Sequence, residues 1–204
     1  MFRRRHAFAL TTPRLTLRQP QMSDFGDWLA LLRDSEDFLK PWEPQRSPEH
    51  YTRRGFRNRV VWAERAFENG RALPLFLLAE GALVGGITLD NIRKGPSQAG
   101  TVGYWVGAAF ARQGYMREAL NAVVEYAFRE MDLSRIEAAC LPENAASRSL
   151  LETSGFKYEG VAQSYLQIAG RWRTHVLYAN LRLDRRGRPP RGRKEEHTAA
   201  QQAP

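Results

Sequence analysis

The chain reads GYWVGAAFARQGYMREAL from Gly103 to Leu120, and this stretch is the most informative part of the sequence. Its first residues alternate like the end of a strand, and its last residues begin an amphipathic helix whose apolar face continues beyond Leu120. Gly114 lies in the loop between them. The stretch therefore predicts a strand, a short loop and a helix in direct succession.

The start of this helix has the properties of a phosphate-binding site. Backbone N–H groups at a helix N-terminus lack partners within the helix and carry partial positive charge. Gly114 lets a ligand approach the backbone closely, and Arg112 and Arg117 add positive charge beside it. Spacing alone leaves an ordinary loop glycine as the alternative.

Outward from this stretch, the apolar patterns give the order β-α-α-β-β-β-α-β-α-β-β. Ser47-Pro48 is typical of an N-cap followed by proline and predicts the start of the second helix, which Gly70 ends. Glu80-Gly81 predicts a hairpin turn between two apolar strands. The expected fold is α/β (α+β), with a mixed, mostly antiparallel sheet of about seven strands flanked by four helices.

Composition limits the functional classes. The 204 residues are 43% hydrophobic and 26% charged, which is typical of a globular protein. One cysteine excludes an internal disulfide, and the four scattered histidines do not suggest a metal site. No apolar stretch is long enough to cross a membrane, so we expect a soluble, cytoplasmic protein without a metal or a membrane partner.

The net charge of +9 is concentrated near the two ends of the chain. Residues 1–6 contain three arginines, and residues 185–204 contain six basic against two acidic residues with few apolar ones. We predict a basic arm over 1–11, a single domain over 12–184 and a disordered arginine-rich tail over 185–204. Flexible basic segments favour polyanions, with a strongly salt-dependent affinity.

The central stretch resembles the signature of the GNAT superfamily of N-acetyltransferases, Gln/Arg-x-x-Gly-x-Gly/Ala. Gly114 occupies the glycine position, whereas Ala111 and Met116 depart from the pattern. Residues 12–183 resemble the RimJ branch, the ribosomal-protein-alanine N-acetyltransferases. The matching segments are Thr12-Pro13-Arg14-Leu15, Phe38 to Pro44, Pro142-x-Asn144-x-x-Ser147 with Gly155-Phe156-x-x-Glu159-Gly160, and Gly170-x-Trp172-Arg173-x-His175-Val176-Leu177.

The resemblance implies a GNAT fold that uses acetyl-CoA as co-substrate. A bulge near Trp105 and Val106 would splay two strands and admit the pantetheine arm. Ser147 would donate a proton or hydrogen bond to the departing thiolate, and Asn144 would orient the cofactor, unless Asn144 only caps a helix and Ser147 is a surface serine. The residues expected around the cofactor are Trp105, Val106, Arg112, Gln113, Gly114, Tyr115, Met116, Arg117 and Asn144.

The acceptor side is less well specified by the sequence. The strand from Ala99 to Val106 has no carboxylate, although many relatives carry a glutamate base there. Glu43 and Asp90 remain as candidates for binding or deprotonating the amine, and either could be a solvated loop carboxylate. Trp42 and Tyr165 would form apolar walls around a small first residue, or belong to the core. Cys140 is expected to be a buried apolar residue and not a nucleophile.

Three functions remain open at this point. The first is acetylation of the N-terminal alanine of a small-subunit ribosomal protein by direct transfer in a ternary complex, with the basic arms recruiting the enzyme to ribosomal RNA. The second is acetylation of a small-molecule amine or antibiotic. The third, from another class, is a non-catalytic RNA- or ribosome-binding protein on the same fold. A monomer and a homodimer are both compatible with the sequence.

Overall fold

The computed structural model describes residues 8–185, which form one sheet with helices on both faces. The strands are β1 (Ala9–Thr11), β2 (Leu15–Arg18), β3 (Leu73–Ala79), β4 (Ala82–Arg93), β5 (Ala99–Val106), β6 (Arg135–Cys140), β7 (Lys157–Ile168) and β8 (Arg171–Leu181). The helices are α1 (Phe25–Asp34), α2 (Glu36–Leu39), α3 (Arg53–Glu68), α4 (Tyr115–Arg129) and α5 (Ala145–Thr153).

The sheet opens into a wedge between β5 and β6. The strand order is β1-β2-β3-β4-β5-β6-β8-β7, and β5 and β6 are the parallel pair. They pair through residues 99–101 and 135–137. Beyond Thr101 and Glu137 both strands continue, to Val106 and Cys140, without pairing to each other. The α4 crossover that a parallel pair requires begins just past the open end of this wedge.

Apolar side chains fill both faces of the sheet. On one face, called here the α4 face, α4 and α5 cover a core that includes Leu120, Val123 and Ile136, each fully buried. On the other, the α1 face, α1 and α3 cover a second core built around Trp28 and Phe56. Their rings lie 4.8 Å apart. The alternation of side chains along β5 therefore decides which face of the wedge each residue lines.

Several predicted elements differ from those observed. The described residues contain eight strands, one more than expected, because β1 pairs with β2 inside the predicted arm of residues 1–11. The short helix α2 was not predicted. At the other end, Arg185 belongs to a 3-10 turn and binds Asp132, although the predicted tail begins there. Residues 1–7 and 186–204, with most of the expected basic arms, lie outside the described residues.

The expected bulge near Trp105 and Val106 is also displaced. There β5 keeps an unbroken register with β4, with Trp105 opposite Gly86 and Val106 opposite Gly85. The β4–β5 register shift falls between Asp90 and Arg93, at the other end of the ladder. The strands splay because β5 and β6 stop pairing, and this needs no bulge at the tip of β5.

Candidate active site

The loop before α4 has the geometry of an anion cradle. Arg112 adopts a left-handed conformation with φ +61°, and Gly114, the N-cap, has φ +81°. No side chain caps α4, so its first N–H groups point out of the helix without a protein acceptor at the cap. Gly114 and the flanking Arg112 and Arg117 are exposed. Free amides with two cations beside them fit a pyrophosphate.

The other residues expected around the cofactor contribute in different ways. The side chain of Met116 is 8% exposed and packs into the α4-face core, so only its backbone N–H can face a ligand. Trp105 packs against the α1-face core, whereas Val106 packs against the α4-face core. The side chain of Gln113 donates a hydrogen bond to the carbonyl oxygen of Ala109 at 2.9 Å, which braces the loop.

Arg14 stabilises this loop through hydrogen bonds, and it was not among the predicted site residues. Its guanidinium donates to the carbonyl oxygen of Gln113 at 2.9 Å and to Glu118 at 2.8 Å. It lies 4.7 Å from the centre of the Tyr115 ring. Hydrogen bonds from Thr12 and Arg14 hold the pKa of Glu118 below its usual value, against a raising effect of burial. The signal in the sequence was the match of Thr12-Pro13-Arg14-Leu15 to the RimJ branch.

Two hydroxyl groups meet on the α4 face of the wedge. The Tyr104 hydroxyl and the Ser147 hydroxyl are 2.8 Å apart, and either can donate. Burial raises the pKa of Tyr104, so its phenol stays protonated at neutral pH. Tyr104 was not among the predicted site residues, although it directly precedes Trp105 on β5, one of the two strands that border the wedge.

Asn144 positions Ser147. The Asn144 side-chain oxygen accepts a hydrogen bond from the Ser147 backbone N–H at 3.0 Å and caps α5. The capping alternative for Asn144 is thus observed, while its amide nitrogen makes no hydrogen bond within residues 8–185 and could still face a ligand. A role in orienting the cofactor stays a prediction.

Cys140 lies at the end of β6 beside this hydroxyl pair. It is 7% exposed, and burial raises the pKa of its thiol, with the Ser147 hydroxyl acting in the opposite direction. A thiol held in its neutral form is a poor nucleophile. Its environment is that of the small buried apolar residue expected from the sequence.

A small cavity opens on the α1 face where β5 and β6 separate. Its volume is about 130 Å³. Hydrogen bonds from Arg93 and Arg135 hold the pKa of Glu137 below its usual value, although burial acts to raise it. Arg135 also pairs with Glu159, so two arginines balance the two carboxylates at this cavity. Its lining residues are Thr101, Arg135, Glu137, Ala138, Ala139, Glu159, Tyr165, Leu177 and Tyr178.

Asp90 lies next to this cavity. It is directly opposite Thr101 in the β4–β5 ladder. Its neighbour Leu89 is buried in the α4-face core, so Asp90 points to the α1 face, as Thr101 does. Its carboxylate accepts a hydrogen bond from the backbone N–H of Asn91 at 2.7 Å. Strand β5 has no carboxylate of its own, and Asp90 on the neighbouring strand β4 supplies one beside it.

The loop after α2 contacts the β7–β8 turn. The carbonyl oxygen of Glu43 accepts a hydrogen bond at 3.0 Å from Ala169, in the β7–β8 turn. The Glu43 carboxylate pairs with Arg46. Tyr165 lines the cavity described above, whereas Trp42, 36% exposed, does not. Glu43 and Trp42 therefore lie near the β7–β8 turn at the mouth of the wedge, and Asp90 lies opposite Thr101 at its closed end. The backbone of Tyr165 lies between these two ends, next to His175.

The matches to known proteins agree with this geometry. The family model of the acetyltransferase (GNAT) domain matches residues 14–157. The chain belongs to the GNAT acetyltransferase family. This confirms the predicted superfamily, and the enzyme uses acetyl-CoA, as the cradle before α4 indicates.

Similar proteins also support the predicted branch. The chain is 36% identical to the [Ribosomal protein uS5]-alanine N-acetyltransferase of Escherichia coli, over 83% of this chain and 89% of that protein. The Vibrio fischeri ribosomal-protein-S5-alanine acetyltransferase has a similar structure, with a TM-score of 0.81 and 28% identity, covering 88% of this chain and all of that one. Mycobacterium smegmatis RimJ in complex with CoA-disulfide gives a TM-score of 0.78 at 30% identity, over 82% and 81% of the two chains.

Residues 8–185 contain neither a candidate membrane-spanning helix nor a candidate metal-binding cluster. None of the helices within residues 8–185 is long and apolar enough to span a membrane. In the same part of the chain, histidine, cysteine, aspartate and glutamate side chains form no group of three that could hold a metal ion.

Proposed function

We propose that this GNAT acetyltransferase acetylates the N-terminal α-amine of a protein that begins with alanine, most simply a ribosomal protein. The observation that carries the proposal is the pair of hydroxyls, Tyr104 and Ser147, on the wall of the wedge whose opposite face opens to a small polar cavity. The choice of acceptor is supported by the 36% identity to the Escherichia coli enzyme named for uS5 alanine.

Each residue has a separate task in this proposal. Acetyl-CoA supplies an acetyl group activated as a thioester. The amides at the start of α4, with Arg112 and Arg117, hold the pyrophosphate at one end of the wedge. Arg14 keeps the carbonyl of Gln113 turned away from that site, because it occupies this oxygen with a hydrogen bond. The reacting groups then meet in the middle of the wedge.

The hydroxyl pair assists the departure of the thiolate. As the amine nitrogen bonds to the acetyl carbon, the carbon–sulfur bond breaks and negative charge develops on sulfur. Ser147 donates a hydrogen bond or its proton to that sulfur, while the protonated hydroxyl of Tyr104 donates a hydrogen bond to Ser147. Asn144 fixes the first turn of α5, and so the direction of the Ser147 hydroxyl.

The acceptor must reach the thioester as a neutral amine. At a pH near 7.4, roughly a fifth to a third of α-amines are neutral, against about one lysine in a thousand. An α-amine therefore needs only a weak base. Asp90 is the best placed carboxylate, because it lies beside the cavity and no arginine pairs with it among the described residues. Glu43 is a weaker candidate, since Arg46 already binds its carboxylate.

The expected acceptor preference can be tested with a thiol-release assay. Peptides that begin with alanine, serine or methionine are compared with a matched peptide whose N-terminus is blocked and which carries an internal lysine. We expect the free alanine peptide to have the highest kcat/KM, at least about tenfold above the blocked peptide, because its amine is far more often neutral.

Other outcomes of this assay separate the alternatives. Turnover of a polyamine or an aminoglycoside, with no turnover of peptides, would replace the proposal with a small-amine acetyltransferase. A rise in melting temperature with acetyl-CoA, but no turnover of any amine, would favour the non-catalytic function. Recruitment to ribosomal RNA concerns basic segments outside residues 8–185 and stays a prediction, as does the choice between monomer and homodimer.

A further inference from the structure

Two arginines, one paired and one not, lie within electrostatic reach of the Glu43 carboxylate at the mouth of the wedge. Arg46 pairs with Glu43, and both side chains are about one-fifth exposed, at 20% and 19%. The guanidinium of Arg59, on α3, lies 5.7 Å from the centre of the Trp28 ring. Among residues 8–185 it forms no ion pair and no hydrogen bond. The group therefore carries one positive charge more than its carboxylate balances.

His50 contributes a polar atom without a partner to the same group. Its ring lies 5.2 Å from the Trp28 ring, the same ring that the Arg59 guanidinium contacts. Its Nε2 is buried and has no hydrogen-bond partner in the described part of the chain. Burial, and then the charges of Arg59 and Arg46, lower the pKa of His50 to about 4, so the imidazole is neutral at pH 7. A buried nitrogen left unpaired is costly, which favours a bound partner.

The local backbone explains why these side chains converge. His50 lies in the 3-10 turn Pro48–Tyr51, which packs against the first turns of α3. Gly55 permits this approach, because a Cβ there would overlap the carbonyl oxygen of Glu49. A larger residue at that position would push the turn and His50 away from α3 and Arg59.

An acceptor chain that leaves the wedge along β8 would reach the β7–β8 turn, which the loop carrying Glu43 contacts. Glu43 is bound through its carbonyl to Ala169, in the β7–β8 turn. Cys140, beside the hydroxyl pair, is opposite Val176 on β8. From Val176 to the start of β8 at Arg171 the strand covers about 17 Å, the length of about five extended residues.

We propose that Arg46, Arg59 and His50 form an anion subsite that binds an acidic side chain of the acceptor, within about five residues of the acetylated amine. This inference rests on the proposed function and names a feature of its substrate. A carboxylate matches the planar donor face of a guanidinium and balances the excess charge. The same charges would repel a basic side chain at that position, which gives selectivity as well as affinity.

The test uses pairs of peptides that begin with alanine and differ in one residue. Each pair carries glutamate or glutamine at one of positions 2 to 6, and kcat/KM is measured for both. For at least one of these positions we expect the kcat/KM of the glutamate peptide to exceed that of the glutamine peptide by about tenfold or more. Hydrogen bonds to charged groups are stronger than those to neutral groups. The preference should fall as salt is raised.

Variants then assign the preference to the subsite. In Arg59→Gln, and in Arg46→Gln, the ratio of kcat/KM between the two peptides should fall towards one. Arg59→Lys keeps the positive charge and should therefore retain part of the preference for the glutamate peptide. Arg57→Gln is the matched control, because Arg57 is exposed on the same helix and should leave the ratio as it is. Melting temperatures show which variants are folded.

The outcomes distinguish this inference from the proposed function. Turnover of the peptides without any preference above about twofold would overturn the subsite and leave the proposed function standing. An equal fall for both peptides in Arg59→Gln, with the ratio intact, would show that Arg59 is only structural and would also overturn the subsite. No turnover of any alanine peptide would overturn the proposed function, and the subsite with it.

Discussion

Replacement of Ser147 by alanine is expected to lower kcat by about 10- to 1000-fold, with little change in the affinity for acetyl-CoA. The variant removes the hydroxyl that lies 2.8 Å from the Tyr104 hydroxyl on the wall of the wedge. The thiolate would then leave without a nearby proton donor. Because Ser147 lies away from the pyrophosphate cradle before α4, ground-state binding of the cofactor should persist.

Steady-state kinetics on an alanine peptide, with calorimetric titration of CoA, measures both quantities. Ser149→Ala is the matched control, because Ser149 is exposed on the same helix. Tyr104→Phe should also lower kcat, and the double variant should lose less than the product of the two single losses if the hydroxyls act as a unit. An unchanged kcat in Ser147→Ala would remove Ser147 from the mechanism.

Substitution of Gly114 by valine is expected to weaken acetyl-CoA binding by about tenfold to a hundredfold. Gly114 has φ +81°, a conformation that a β-branched residue adopts at a cost of roughly 1–3 kcal/mol. A Cβ there would lie 3.3 Å from the Arg14 guanidinium. The loop would relax out of this conformation, and its amides would no longer converge on the pyrophosphate.

Calorimetric titration of CoA measures this loss directly. Gly81→Val is the matched control, because Gly81 has φ +84° in the β3–β4 turn and nothing within 4 Å of its Cβ position. It should lower stability by a similar amount and leave CoA affinity unchanged. A folded Gly114→Val protein with normal CoA affinity would contradict the role assigned to the loop.

Local patterns predicted most of the fold because they report on burial and turn chemistry. The strand Ala99–Val106 was predicted with its observed bounds, and the helix after Gly114 was correctly identified. The Ser47-Pro48 prediction was wrong in detail: proline starts a 3-10 turn, and α3 begins at Arg53, where Thr52 accepts the capping hydrogen bond. The edge strand β1 was missed because three residues carry too little pattern.

The site was harder to predict because its parts meet only through the sheet. The position of Asp90 opposite Thr101 depends on the register of two strands, which no local pattern fixes. Tyr104 faces Ser147 across 43 positions of sequence, and Arg14 reaches Gln113 across 99. The bulge at Trp105 and Val106 was expected from the family, yet the wedge arises because β5 and β6 stop pairing. Pairings of this kind follow from tertiary structure alone.

Transfer to an α-amine can be established by locating the acetyl group on a product. A peptide with a free N-terminal alanine and an internal lysine is incubated with the enzyme and acetyl-CoA, and the product is fragmented in a mass spectrometer. We predict a single acetyl group on the alanine α-amine. An acetyl group on the lysine side chain, with the α-amine free, would contradict the account.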